Sequence, residues 1–198
     1  MSDEDGEHDH TEGEPQYRAN DNLFGVLLPE ARMCVLAEDL QENTYIDIVR
    51  GLTRLALRGD ADIYLHILSP GGDLYTGLAL ADAIEGLQTH TGVKVVSLAM
   101  GMCASAAIFP YFAGNERRMG RRSWLMVHGV SMAMIGADMT GLGSEVAHIE
   151  KVNTQLAEWF AARTKHPVEF WAPILLSRDP HYWSAEEALK DGLADAII

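Results

Sequence analysis

Residues 69–77 read SPGGDLYTG, and they stand between DIYLHIL (62–68) and LALADAIEGL (78–87). The first flank is a short apolar run bounded by turn residues, which predicts a buried strand over 62–68. In the second, Leu80, Ala81, Ile84 and Leu87 recur at helical spacing, which predicts an amphipathic helix over 77–88. Pro-Gly-Gly between a strand and a helix allows two meanings. One is a tight turn and nothing more. The other is a backbone whose N–H groups lie open, with no side chain in the way, to hold something negative.

The same alternation continues on both sides. Residues 32–37 (RMCVLA), 93–99 (VKVVSLA) and 123–128 (SWLMVH) read as strands. Between Asp39 and Leu57 the apolar residues fall close to helical spacing. Residues 144–163 carry Val146, Ile149, Val152, Leu156, Trp159 and Phe160, a long amphipathic helix. GMCASAAIFPYF (101–112) reads as a turn into a helix of small residues. The ending SAEEALKDGLADAII predicts a helix capped at Ser184, a stop at Gly192 and a last strand. Strands alternating with helices imply an α/β fold with a mostly parallel sheet.

The 198 residues suit one domain, and a formal net charge of −14 argues against nucleic acid or an anionic membrane as partner. The opening MSDEDGEHDHTEGEPQ is acidic and almost free of apolar residues. It predicts a disordered tail over 1–16, with the domain over 17–198. Within the domain, residues 17–31 read as an irregular apolar stretch packed on the core or on a neighbour. The opening lacks the basic start and apolar stretch of a signal peptide, and no segment reaches the roughly 18 apolar residues of a membrane span. Cys34 and Cys103 form no disulfide framework, so a cytoplasmic location is expected.

Two further elements could carry chemistry. In GMCASAA (101–107) a strand-to-helix turn presents one hydroxyl, Ser105. A nucleophile elbow works in this way, although GMCAS is not the G-x-S-x-G pattern, and from this stretch alone a small serine in a tight helix–sheet contact is the favoured reading. His128 closes the strand SWLMVH, where a histidine is either a base or a structural residue. Among the others, His66 reads as core, and His90, His148, His166 and His181 as loop or solvent-face residues. Arg117, Arg118, Arg121 and Arg122 read as a solvated turn. There is no H-E-x-x-H motif and no Cys/His cluster, so no metal and no cofactor are predicted.

The order of these landmarks is more specific than any one of them. Ser69-Pro70-Gly71-Gly72, Gly77, Met100 to Ser105, Ala113-Gly114, Met126-Val127-His128, Arg178-Asp179 and Ser184 to Asp195 together resemble the Clp protease proteolytic subunit family (ClpP) from about Arg32 to Ile198. The resemblance implies a ClpP/crotonase-type α/β domain whose helix at 144–163 matches the family's ring-joining handle helix. It implies a serine endopeptidase that cleaves unfolded proteins or peptides inside stacked heptameric rings fed by an AAA+ unfoldase. It places the nucleophile on Ser105, the general base on His128 and the third triad member on Asp179. The oxyanion donors fall on the N–H groups of Gly72 and Ala106. Cys103 stands where a small residue is usual, Ser177 where an acidic one is usual, and one extra residue lies between Asp179 and Ser184. Asp138, in the segment after His128, is the competing carboxylate. Two other classes stay open: a non-catalytic ring subunit, and a crotonase-type acyl-CoA enzyme.

Overall fold

The computed structural model describes residues 32–130, 142–177 and 179–198. The expected acidic tail (1–16), the apolar stretch 17–31, Asp138 and Arg178 lie outside the described residues.

The chain runs β1 (Met33–Leu36), α1 (Glu42–Ala56), β2 (Ile63–Ser69), α2 (Leu74–Thr91), β3 (Val95–Ala104), a 3-10 turn (Ser105–Ala107) and α3 (Ile108–Phe112). It continues β4 (Glu116–Met119), β5 (Trp124–Val127), α4 (Leu142–Ala161), α5 (Val168–Leu176), β6 (His181–Ser184), α6 (Ala185–Asp191) and β7 (Ala196–Ile197). The strands form one sheet in the order β1-β2-β3-β4-β7, and β5 pairs with both β3 and β6. Every pairing is parallel except β5–β6. The expected α/β architecture with a mostly parallel sheet is therefore the observed one.

The core lies between one face of the sheet and the helices. Cys34, Leu36, Ile63, Leu65 and Ile67 point into it from β1 and β2, meeting Ile48, Leu52 and Leu55 of α1 and Leu80 and Ile84 of α2. A second part of the core is aromatic. Phe160 of α4 stacks on Trp171 of α5 at 4.7 Å between centroids and meets Phe112 of α3 edge-on at 5.4 Å.

Several readings of the sequence are corrected. Residues 101–104, read as the start of a turn, extend β3 to Ala104. Residues 62–68 were read as a buried strand, but burial along β2 alternates. Tyr64 and His66 are half-buried and Leu68 is exposed, because the helices pack on the opposite face. His66 is thus a residue of the open face and not of the core, although partial burial still lowers its pKa. Glu116–Met119, read as part of a solvated turn, is strand β4 between β3 and β7. Arg117 binds both carboxylate oxygens of Asp195 there, at 3.1 and 2.8 Å. Finally, α5 and β6 were not anticipated.

Candidate active site

Three strand ends bring the landmarks together, because strand register fixes where each loop leaves the sheet. Ser69, at the end of β2, pairs with Cys103 on β3. Ala104, at the end of β3, pairs with Met126 on β5. The segments after these strands, Gly71-Gly72, Ser105-Ala106 and His128-Gly129, therefore leave the same edge of the sheet side by side. In a parallel α/β sheet the crevice outside the carboxyl ends of the strands is the usual place for a ligand.

The SPGG segment answers the question its composition raised. Gly71 has φ +101 and Gly72 φ +143, a conformation that residues with side chains rarely adopt. A Cβ on Gly71 would stand 2.7 Å from the Cβ of Ser105. Leu40 forms a parallel bridge to Gly72: its N–H donates to Gly71 O at 2.7 Å, and the Asp73 N–H donates to Leu40 O at 3.0 Å. That pattern uses the flanking peptide groups and turns the Gly72 N–H away from Leu40. The hydroxyl of Ser69 donates to Glu38 O at 2.6 Å and accepts from the Gly71 N–H at 3.1 Å, which holds the turn from beneath. The Asp73 side chain then caps α2 through the Thr76 N–H at 2.7 Å.

Ser105 has φ 53. Left-handed backbone at a residue with a Cβ is strained, and such strain collects where a turn must present one side chain. Ala106 is the next residue of the 3-10 turn. Its N–H belongs to the first donors of a helical turn, which have no carbonyl within that turn to bind.

Ser105, Ala106, Gly72 and His128 line one cavity of about 180 Å³. Leu74, Phe109, Val130, Leu156, Phe160 and Leu175 give it an apolar wall, and α4 and α5, which supply the last three, were not read from the sequence as part of a site. The ring of His128 is half-buried, and its Nδ1 lies 2.6 Å from Gly129 O. A carbonyl oxygen can only accept, so Nδ1 carries a proton, which in the neutral ring leaves the lone pair on Nε2.

Asp179 is an exposed residue in the turn between α5 and β6, outside the residues that line the cavity. Its backbone N–H donates to Ser177 Oγ at 3.0 Å. Cys103, two residues before Ser105, does not line the cavity. It is fully buried, its thiol donates to Ala107 O at 3.4 Å, and burial drives its pKa far above that of a free thiol. It is a packed small side chain and no substitute nucleophile. Among the described residues, no group of three His, Cys, Asp or Glu side chains could hold a metal ion, and no helix is long and apolar enough to cross a membrane.

The Clp protease family profile matches residues 15–198. The chain belongs to the Clp protease family. It is 31% identical over 183 residues to the ATP-dependent Clp protease proteolytic subunit 3 of Streptomyces avermitilis, covering 90% of this chain and 78% of that one. It is 30% identical over 193 residues to proteolytic subunit 1 of Streptomyces coelicolor, covering 94% and 83%. The proteolytic subunit of Pleurastrum terricola is 29% identical over 183 residues, 89% of this chain and 87% of that one. Family members of this kind are proteases.

Proposed function

We propose that this chain is a cytoplasmic serine endopeptidase that hydrolyses peptide bonds of unfolded proteins or peptides inside a chamber assembled from copies of itself. An ATP-dependent unfoldase of the AAA+ class delivers the substrate. The observation that carries the proposal is the meeting of Ser105, His128 and the peptide groups of Gly72 and Ala106 around one cavity.

A serine hydroxyl is a weak nucleophile at neutral pH until a base takes its proton. His128 Nε2 receives the proton of Ser105 Oγ as the oxygen attacks the scissile carbonyl carbon. The N–H groups of Gly72 and Ala106 donate to the oxyanion that forms, in a site already organised around it. His128 then returns the proton to the departing amine, leaving an acyl-enzyme. Water repeats the sequence with His128 as base and frees Ser105.

Self-assembly draws support from the sheet. Parallel sheets are usually covered on both faces. Here the face away from the helices leaves Val35, Leu68, Trp124 and Tyr182 between 37% and 51% exposed, apolar area that a second copy would bury. A non-catalytic ring subunit fits less well, since Ser105 and His128 are both present and line the same cavity. The test is hydrolysis of a fluorogenic peptide by size-fractionated protein. Activity should follow an oligomeric peak and be absent from Ser105→Ala; activity that survives Ser105→Ala refutes the assignment.

A further inference from the structure

Gly72 is followed at once by a carboxylate. Asp73 lines the same cavity as Ser105 and His128, and it is exposed. Among the described residues that line the cavity, Asp73 and His128 carry the titratable side chains, and His128 must be uncharged to act as a base. The carboxylate is held in place. Its Oδ1 accepts from the Thr76 N–H at 2.7 Å. The Asp73 N–H donates to Leu40 O at 3.0 Å, and Asp73 O accepts from the Gly77 N–H at 3.1 Å. Consecutive Cα atoms stand about 3.8 Å apart, so this fixed charge lies one residue from the Gly72 peptide. The N-terminus of α2 places about half a positive charge behind the carboxylate, which cancels part of it and leaves a net negative mouth. The formal charge of −14 on the whole chain adds a field of the same sign.

We propose that Asp73 is a specificity-determining residue. Its carboxylate makes the site select peptides with a lysine or arginine beside the scissile bond and disfavour those with a glutamate or aspartate there. The proposal rests on the reading of this cavity as the place of peptide cleavage, with the scissile carbonyl at the Gly72 N–H. Capping and charge are separable at this position, because asparagine caps a helix about as well as aspartate and brings no charge.

Asp73→Asn therefore keeps an acceptor for the Thr76 N–H and removes the charge. The first assay is hydrolysis of paired peptides that differ only by Lys or Glu at one position, with the cleaved bond read by mass spectrometry. At about 0.05 M salt the parent should favour Lys over Glu by about fivefold in kcat/KM at a position flanking the cleaved bond. In Asp73→Asn the ratio should fall to about one or below. In the parent, salt of about 0.5 M should compress it, since the screening length is then roughly 4 Å. No charge preference in the parent, or one that Asp73→Asn retains, overturns the proposal. The second assay needs no turnover: fluorescence anisotropy of dye-labelled Lys and Glu versions of one peptide on Ser105→Ala protein. The Lys version should bind about fivefold tighter, and the gap should close when Asp73→Asn is added. Equal binding overturns the proposal. A Lys preference in binding by a chain that hydrolyses nothing would uphold the charge selection and refute the peptidase reading.

Discussion

Gly72→Ala tests the proposed oxyanion donor apart from the rest of the site. Gly72 sits at φ +143, and a Cβ there would stand 2.5 Å from Leu40 O and 2.6 Å from Leu40 N. Both are backbone atoms, so neither can swing aside as a side-chain tip would. Relief requires the Leu40 bridge to open or the Gly72 peptide to rotate, and either movement redirects its N–H. Removing one oxyanion donor raises the barrier by about 3–4 kcal/mol, or roughly 10²–10³ in kcat. Stability falls too: the bridge holds two hydrogen bonds, each worth about 1 kcal/mol net, so a loss of about 2 kcal/mol is expected before strain is added. The assay is steady-state hydrolysis of a fluorogenic peptide, with a thermal melt on the same preparation. The expected result is a folded, less stable protein whose kcat has dropped by two to three orders of magnitude while KM moves far less. A folded Gly72→Ala with kcat within about threefold of the parent would refute the oxyanion reasoning.

Other consequences are equally direct. Neither cysteine should react with a neutral thiol reagent in the folded protein, since burial pushes the Cys34 thiol up to about 12 and Cys103 higher still; rapid modification at pH 8 of the native chain would contradict the packing. For Asp195, burial alone would raise the carboxyl pKa, but hydrogen bonds from the Arg117 side chain and backbone outweigh it and hold the pKa below the usual range. A depressed carboxylate stabilises the fold above its unfolded pKa and ceases to as the pH falls through the folded one. Arg117→Ala should therefore melt earlier than the parent at pH 7, with the gap narrowing below about pH 4; a gap that persists undiminished in acid would assign the loss to the hydrogen bond to Arg163 O and the contact with Phe112 instead. Leu68→Glu places a charge on the open face of the sheet and should shift the protein to smaller species in sedimentation velocity without lowering the monomer's helix content. An unchanged size distribution would mean that face is not a self-interface.

What could be read from the sequence was what lies in contiguous residues. SPGG and the histidine closing SWLMVH carry their turn chemistry locally, so their place at strand ends was visible before the sheet was; GMCAS, read as a turn, instead continues β3 to Ala104, and only Ser105 opens the turn. The missed elements depend on distant partners. Glu116–Met119 looks solvated because Arg117 and Arg118 dominate it, yet Arg117 is matched by Asp195, 78 residues away. Val168–Leu176 carries Pro173 inside the helix, which hides a helical pattern whose Trp171, Ile174 and Leu175 are buried. The exposed face of β2 was illegible for a related reason: an apolar run does not say which of its sides a helix covers. Gly129 did have a signal, a glycine directly after the candidate base. Its meaning, a carbonyl aimed back at the imidazole, depends on how closely α5 ends beside it.

The central claim is that Ser105 is a nucleophile activated by its turn and by His128. Active-site labelling tests it most directly: the purified protein is treated with a fluorophosphonate and the modified peptide is sequenced by mass spectrometry. The expected result is one phosphonyl group per chain on Ser105 Oγ, with labelling slowed severely in His128→Ala and abolished in Ser105→Ala. A chain that hydrolyses peptides yet carries no label on Ser105, or labels equally well without His128, would contradict it.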